Sequence, residues 1–525
     1  MKSMLRVSGE DAIGESAPTG ADRSPRALVD LLRFFELGRA SDAADHHELS
    51  LLPVALAPYR DASRLKTSYP LLLPADGSPP LTMDELNSRI CEALGVEGDE
   101  RRRLEQLVAR FELALRQLER EEPGDFVALA AEARASVVAA ARVDDEKRGA
   151  LSGTLQQAVA TAVPVGTLLF DTPRVVEHLT QQIAAAHRRR VAGELVTELD
   201  ELIERLESWL AADFAQSAEA MSPDHLKVSL GTKSDDEFDA DALSSLLRGA
   251  RERTPEQQRR HARIEEAHAT LLKWAPLFRG AGVEGLPAEL AGRLKSLVRA
   301  KHGDLAAALG AERELEELFV PFFRARRIAR LEIDDVYREH AFDAYFASFG
   351  ADQLDPSERR LCPPVVLTLR SEALTTTGLG ALMKALGAGR PLNIVLEISA
   401  LDRLDGAKEQ ATATALDFAR MALLLPGVFV FQGSYSEPLA LHAAFADALN
   451  WPGPSLVAVF TGFEAQQSAP SRYLTAAAAL ESRVLPTFVR RPQAGGGWAE
   501  QLSLAGNPHL EEQLSVEELA LGGEE

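Results

Sequence analysis

The chain has 525 residues, a formal net charge of -22 and a pI of about 5.1. So acidic a surface neither neutralises a phosphate backbone nor adheres to anionic lipid, which excludes nucleic-acid and membrane partners. Its two cysteines, Cys91 and Cys362, are too few for an iron–sulfur cluster, a four-thiolate zinc site or a disulfide scaffold. With no apolar run long enough to span a bilayer and no leader-like start, a reduced, cytoplasmic, globular protein is expected.

Residues 1–48 are rich in small and polar types, with one helical stretch at Pro25–Gly38. Prolines punctuate 49–74, where Tyr69-Pro70-Leu71-Leu72-Leu73 reads as a strand. From Thr82 the pattern is helical, and Leu104, Leu107, Val108, Phe111, Leu115 and Leu118 recur at three and four. A long helix is expected at 173–212, with Thr172 placed to cap it and Pro173 suited to its first turn. Its stripe runs Val175, Val176, Leu179, Ile183, Val191, Leu195, Leu199, Ile203, Leu206 and Leu210, which belongs inside a bundle, with Arg188, Glu194, Glu198 and Arg205 on the outer face. Thr254-Pro255-Glu256-Gln257 reads as a capping box opening a helix faced by Ile264, Leu271, Leu272 and Trp274. Further helices are expected at 288–301, 304–309 and 312–330.

Charge thins abruptly after Cys362-Pro363-Pro364, and the periodicity changes with it. Unbroken apolar runs at 365–369, 392–398, 428–431, 456–460 and 484–489 alternate with helical stretches at 380–387, 409–425, 438–449 and 470–482. Such runs mean strands buried on both faces. The expected organisation is therefore a mostly α-helical region at 49–362, a doubly wound, mostly parallel α/β unit at 363–490 with its own core, and an acidic tail at 491–525. Ligands of such sheets bind beyond the carboxyl ends of the strands, here at 370–372, 399–406, 432–437 and 461–468.

Several candidate motifs lack what their chemistry requires. Glu265-Glu266-Ala267-His268 is half of a carboxylate-bridged dimetal motif without its second copy. Asp235–Asp241 lacks the glycine and final glutamate of a calcium loop, and His46-His47 lies between acids in a loop. Cys91 reads as a small core residue on a helix. Gly378-Leu379-Gly380 reads as a turn into a helix. Gly433-Ser434-Tyr435-Ser436-Glu437 lacks the spacing of a nucleophile elbow, so Ser434 or Ser436 with His442 reads as capping chemistry rather than catalysis.

Three segments together carry a resemblance: Gly380 to Ile398, Trp451-Pro452-Gly453-Pro454-Ser455-Leu456, and Ser503-Leu504-Ala505-Gly506-Asn507-Pro508. Their order and spacing over about 365–510 resemble the thiamine-diphosphate domain of pyruvate:ferredoxin oxidoreductases. The resemblance implies a thiamine-diphosphate-binding-like fold. It also places the family's Gly-Asp-Gly motif at Arg370-Ser371-Glu372, so that Ser371 stands where the magnesium-binding aspartate belongs. The later asparagine falls near Leu404, between Asp402 and Asp405, and the cluster cysteine falls near Phe463. Ser371, Glu372, Asp402 and Asp405 are thus the positions of a lost cofactor motif, without the glycines that let backbone approach a diphosphate. The expectation is a degenerate, non-catalytic or scaffolding subunit of a 2-oxoacid oxidoreductase-like complex, without cofactor, working with a protein partner or a second copy. The alternative is an active 2-oxoacid decarboxylase or oxidoreductase holding thiamine diphosphate and magnesium through Glu372 and Asp405, and passing electrons to a separate iron–sulfur subunit.

Overall fold

The computed structural model describes residues 51–54, 67–93, 98–118, 120–140, 145–217, 219–230, 239–248, 253–280, 282–298, 301–371, 376–399, 415–462, 471–481, 484–492, 497–507 and 517–520. Its strands are β1 (Leu51–Val54), β2 (Leu71–Pro74), β3 (Gly124–Asp125), β4 (Gly166–Leu169), β5 (Lys301–His302), β6 (Val365–Arg370), β7 (Leu392–Ile398), β8 (Phe429–Ser434), β9 (Ser455–Phe460), β10 (Phe488–Arg490), β11 (Leu502–Ser503) and β12 (Glu517–Ala520). Among the described residues, no helix is long and apolar enough to cross a membrane.

The chain divides into two units that are not its linear halves. The first comprises Met1–His187, Ala300–Ala308 and Val366–Glu525, and the second Arg188–Arg299 and Leu309–Val365. A division close to Pro364 is thus present, but residues before it do not form one helical region. The segment up to His187 belongs with the sheet.

The main sheet of the first unit is α/β and mixed, in the order β11-β10-β8-β9-β7-β6-β5. Strand β9 pairs in parallel with both β7 and β8, opposing Ser455 to Asn393 and to Phe429. Every residue of β8 and β9 is buried, and side chains alternate between faces along a strand, so both faces of the sheet are covered. The expected last strand corrects the parallel reading: β10 pairs antiparallel with β8, Phe488 opposite Gln432, and β11 pairs antiparallel with β10. An apolar run records burial and carries no information about direction.

The same unit holds a smaller sheet, β2-β4-β3, antiparallel throughout. Helices Met83–Ala93, Gly98–Gln117, Phe126–Ala140 and Asp145–Ala162 close over it around Leu72, Leu86, Phe111, Phe126 and Leu155. The residues that carry the family resemblance are fasteners here. Trp451 donates Nε1–H to the Gly427 carbonyl at 3.0 Å, and a Cβ on Gly453 would stand 2.7 Å from that nitrogen. Asn507 clamps Thr487, accepting from its N–H at 2.8 Å and donating to its carbonyl at 2.5 Å.

The second unit is helical. Trp274, Phe278, Phe319, Phe322 and Phe323 form its aromatic core, with Trp274 and Phe319 centroids 4.5 Å apart. Val191, Leu195, Leu199, Leu202, Ile203 and Leu206 are buried in helix Val175–Ala215, while Leu210 is half-buried. Glu194 and Arg205 are exposed as expected, but Arg188 is not an outer-face residue: it is half-buried, and burial pushes its guanidinium pKa down. Glu198 is half-buried as well, paired with Arg326 at 2.6 Å and with Arg330. The capping box at Thr254 forms, with Gln257 N–H on its hydroxyl at 3.2 Å and the Gln257 amide oxygen on its own N–H at 2.9 Å. Leu272 of that helix is exposed, contrary to its place in the apolar pattern. The two helices expected at 304–309 and 312–330 are one, Leu305–Ile333.

Candidate functional site

Strand β8 ends at Ser434, and the next three residues turn the chain into helix Pro438–Asn450. Ser434 and Ser436 share a hydrogen bond at 2.7 Å, both buried. Among the described residues no hydrogen bond joins His442 to either serine, so no nucleophile pair forms. Burial holds the His442 pKa below its ordinary value.

Between those serines, Tyr435 is fully buried and meets Tyr69 and Tyr473. Tyr69 stacks on it with centroids 6.0 Å apart, and Tyr473 stands edge-on to both. Three of the chain's six tyrosines therefore converge at one strand end from three distant segments. Tyr69 donates its hydroxyl to the Tyr435 carbonyl at 3.1 Å, and Tyr473 donates to the Ser436 carbonyl at 3.3 Å. Burial, reinforced by the nearby Asp171 charge, drives the Tyr69 pKa well above its ordinary value.

Arg472 lies over the Tyr435 ring, 5.5 Å from its centroid, and donates from Nε to the Thr461 carbonyl at 3.1 Å. Gly462 makes this approach feasible. Its φ is +76°, and a Cβ there would fall 2.1 Å from the Arg472 carbonyl oxygen. Asp171, just past β4, faces the same cluster. Burial pushes its pKa up to about 6, against the opposing pull of Arg472 and of the Tyr435 side chain.

Two clefts open nearby and share Pro173. One, of about 380 Å³, runs from Arg120 and Glu121 to Thr67, Asp171 and Thr172. The other, of about 280 Å³, lies beyond β6 and is lined by Arg174, Glu177, Gly303, Thr368, Arg370 and Glu397.

No family model matches this chain, and no curated protein matches it.

Of the positions marked for a thiamine motif, only Ser371 lies within the described residues, half-buried just beyond β6. Glu372, Asp402 and Asp405 lie outside them. Phe463 and the pairs at His46 and Asp235 also lie outside. Arg370 is 3.7 Å from Glu397, and Arg174 pairs with Glu177 at 3.0 Å and Glu122 at 2.6 Å, so neither guanidinium offers surplus charge. Among the described residues no group of three or more His, Cys, Asp or Glu is placed to hold a metal ion. His268 of the Glu-x-x-His half-motif instead contacts Glu207 at 3.2 Å, and Glu266 pairs with Arg324. Cys91 is half-buried in its helix. Gly378 and Gly380 sit inside helix Thr376–Gly387 rather than in a turn before it.

The tyrosine cluster, Asp171 and Arg472 escape a reading of the sequence as a site, because 366 residues separate Tyr69 from Tyr435. The usable signal was position: 432–437 and 461–468 follow strands whose unbroken apolar runs already mark their ends as places where side chains converge.

Proposed function

We propose that the chain is a catalytically idle relative of the thiamine domains of 2-oxoacid oxidoreductases, serving as a non-catalytic or scaffolding subunit of a 2-oxoacid oxidoreductase-like complex. The observation that carries this reading is Tyr69, 1% exposed and seated on the carboxyl end of β8. In open α/β sheets that end is where ligands bind. Here the chain's own segment before β2 fills it with an aromatic ring that is hydrogen-bonded to the strand's continuation.

Further support comes from the adjacent end of β6, where arginines and glutamates neutralise one another. The doubly wound, thiamine-domain-like arrangement of β6 to β9 belongs to this reading, as does a protein partner. The frame would then be retained for the surface it presents, with the cofactor chemistry lost. The test is turnover: the purified chain, supplied with thiamine diphosphate, magnesium, a series of 2-oxoacids and methyl viologen, is expected to reduce no viologen. Any 2-oxoacid-dependent reduction above the protein-free blank would establish the alternative, an active decarboxylase or oxidoreductase handing electrons to an iron–sulfur partner.

A further inference from the structure

The larger cleft holds hydrogen-bonding capacity that the protein leaves unused. Thr172 is 9% exposed, yet its buried hydroxyl has no hydrogen-bond partner. The residue was expected to cap the long helix. Instead its carbonyl accepts from Val175 N–H at 3.0 Å, and its side chain lines the cleft. Beside it stands the Asp171 carboxylate, which lines the same cleft.

The two arginines that line the cleft are paired, and Arg472, outside the lining, makes its hydrogen bond away from it. Arg116 is buried against Glu112 at 2.8 Å and donates to the Thr67 and Tyr69 carbonyls. Arg120 holds Glu132 with contacts of 2.9 and 3.0 Å. Arg472 is turned to the Thr461 carbonyl and the Tyr435 ring. The cleft is also lined by Asp171 and Glu121, for which no paired cation is seen among the described residues. An anion drawn by the first amides of helix Val175–Ala215 would have to face both.

We propose that this cleft is a binding site for a small organic cation with N–H donors, an alkylammonium or guanidinium compound, held by the Asp171 carboxylate and the Thr172 hydroxyl. A volume of about 380 Å³ sits at the small end of ligand pockets, roughly 300–1,000 Å³, and suits a compact ligand. Such a cation adds to the partial compensation that Arg472 gives the Asp171 carboxylate and supplies a donor for the buried hydroxyl. This inference does not depend on the scaffolding role.

Calorimetric titration of the full chain with agmatine, at about pH 7.5, tests it, with 1,4-butanediol and glutarate as neutral and anionic counterparts. Agmatine is expected to saturate one site while the diol and glutarate give only heats of dilution. Asp171→Asn is expected to weaken agmatine about tenfold or more, and Thr172→Val a few-fold. Arg472, Tyr435 and Tyr69 act on Asp171, and Arg116, Arg120 and Glu121 line the same cleft. Burial raises the Asp171 pKa to about 6, so affinity is expected to fall as the buffer is acidified through about pH 6. Should Asp171→Asn fail to fold, the Thr172→Val and acidification results decide. The proposal is overturned if agmatine does not saturate, if a folded Asp171→Asn or the Thr172→Val chain binds it undiminished, if binding is unchanged at about pH 5, or if glutarate binds instead.

Discussion

Tyr69 and Asp171 stabilise the first unit in opposite senses. Removing the Tyr69 hydroxyl by Tyr69→Phe deletes a buried hydrogen bond to the Tyr435 carbonyl and is expected to cost about 1 kcal/mol. Tyr69→Ala also deletes the ring and is expected to cost about 3–5 kcal/mol, both read from chemical denaturation. Asp171 works the other way. Its folded pKa, about 6, is raised above the ordinary 3.8, so the folded state binds a proton more tightly than the unfolded one. The favourable contribution is full below about pH 4 and is lost as pH rises through about 6, because the charged form must then be buried. Asp171→Asn removes that penalty and is expected to stabilise the protein by up to about 2 kcal/mol at neutral pH, with little gain at about pH 4. Equal melting temperatures of the two proteins across that range would contradict the assignment. None of this was legible residue by residue. A lone tyrosine before a proline and an aspartate before a threonine have no partners until the fold supplies them.

At the scale of elements, periodicity was a good guide to burial and a poor one to direction and continuity. Leu199 is 1% exposed in the stripe where spacing placed it. Leu199→Asp buries an unpaired charge and is expected to cost several kcal/mol, about 3–5. An unchanged melting temperature with loss of self-association alone would mean that the stripe is an intermolecular seam. The Thr254 capping box was equally legible, since the three-residue spacing of hydroxyl and amide is its own signature. Thr254→Ala is expected to cost about 1 kcal/mol. Arg188 was misplaced because a long aliphatic stem packs against the core while its charge reads as surface. The antiparallel β10 was missed because an apolar run looks the same in either direction. The continuity of Leu305–Ile333 was missed because one glycine, Gly310, costs only about 1 kcal/mol and the flanking stripe outweighs it.

For the whole molecule, the charge break near Pro364 was visible but its meaning was not. Composition separates a low-charge segment, whereas compactness joins that segment to residues more than 200 positions earlier. A fragment of residues 360–510, expected on composition to hold its own core, would expose Tyr435 and Tyr473 by losing Tyr69 and Asp171. It is now expected to be insoluble or to melt well below the full chain, and thermal unfolding of the two decides. At the carboxyl end of β8 the seat is taken by Tyr69, and on the proposed reading a thiamine cofactor finds no place there. Titrating thiamine diphosphate with magnesium into the full-length chain tests this most directly. The predicted result is heat indistinguishable from dilution, whereas saturable binding of one cofactor per chain would contradict it.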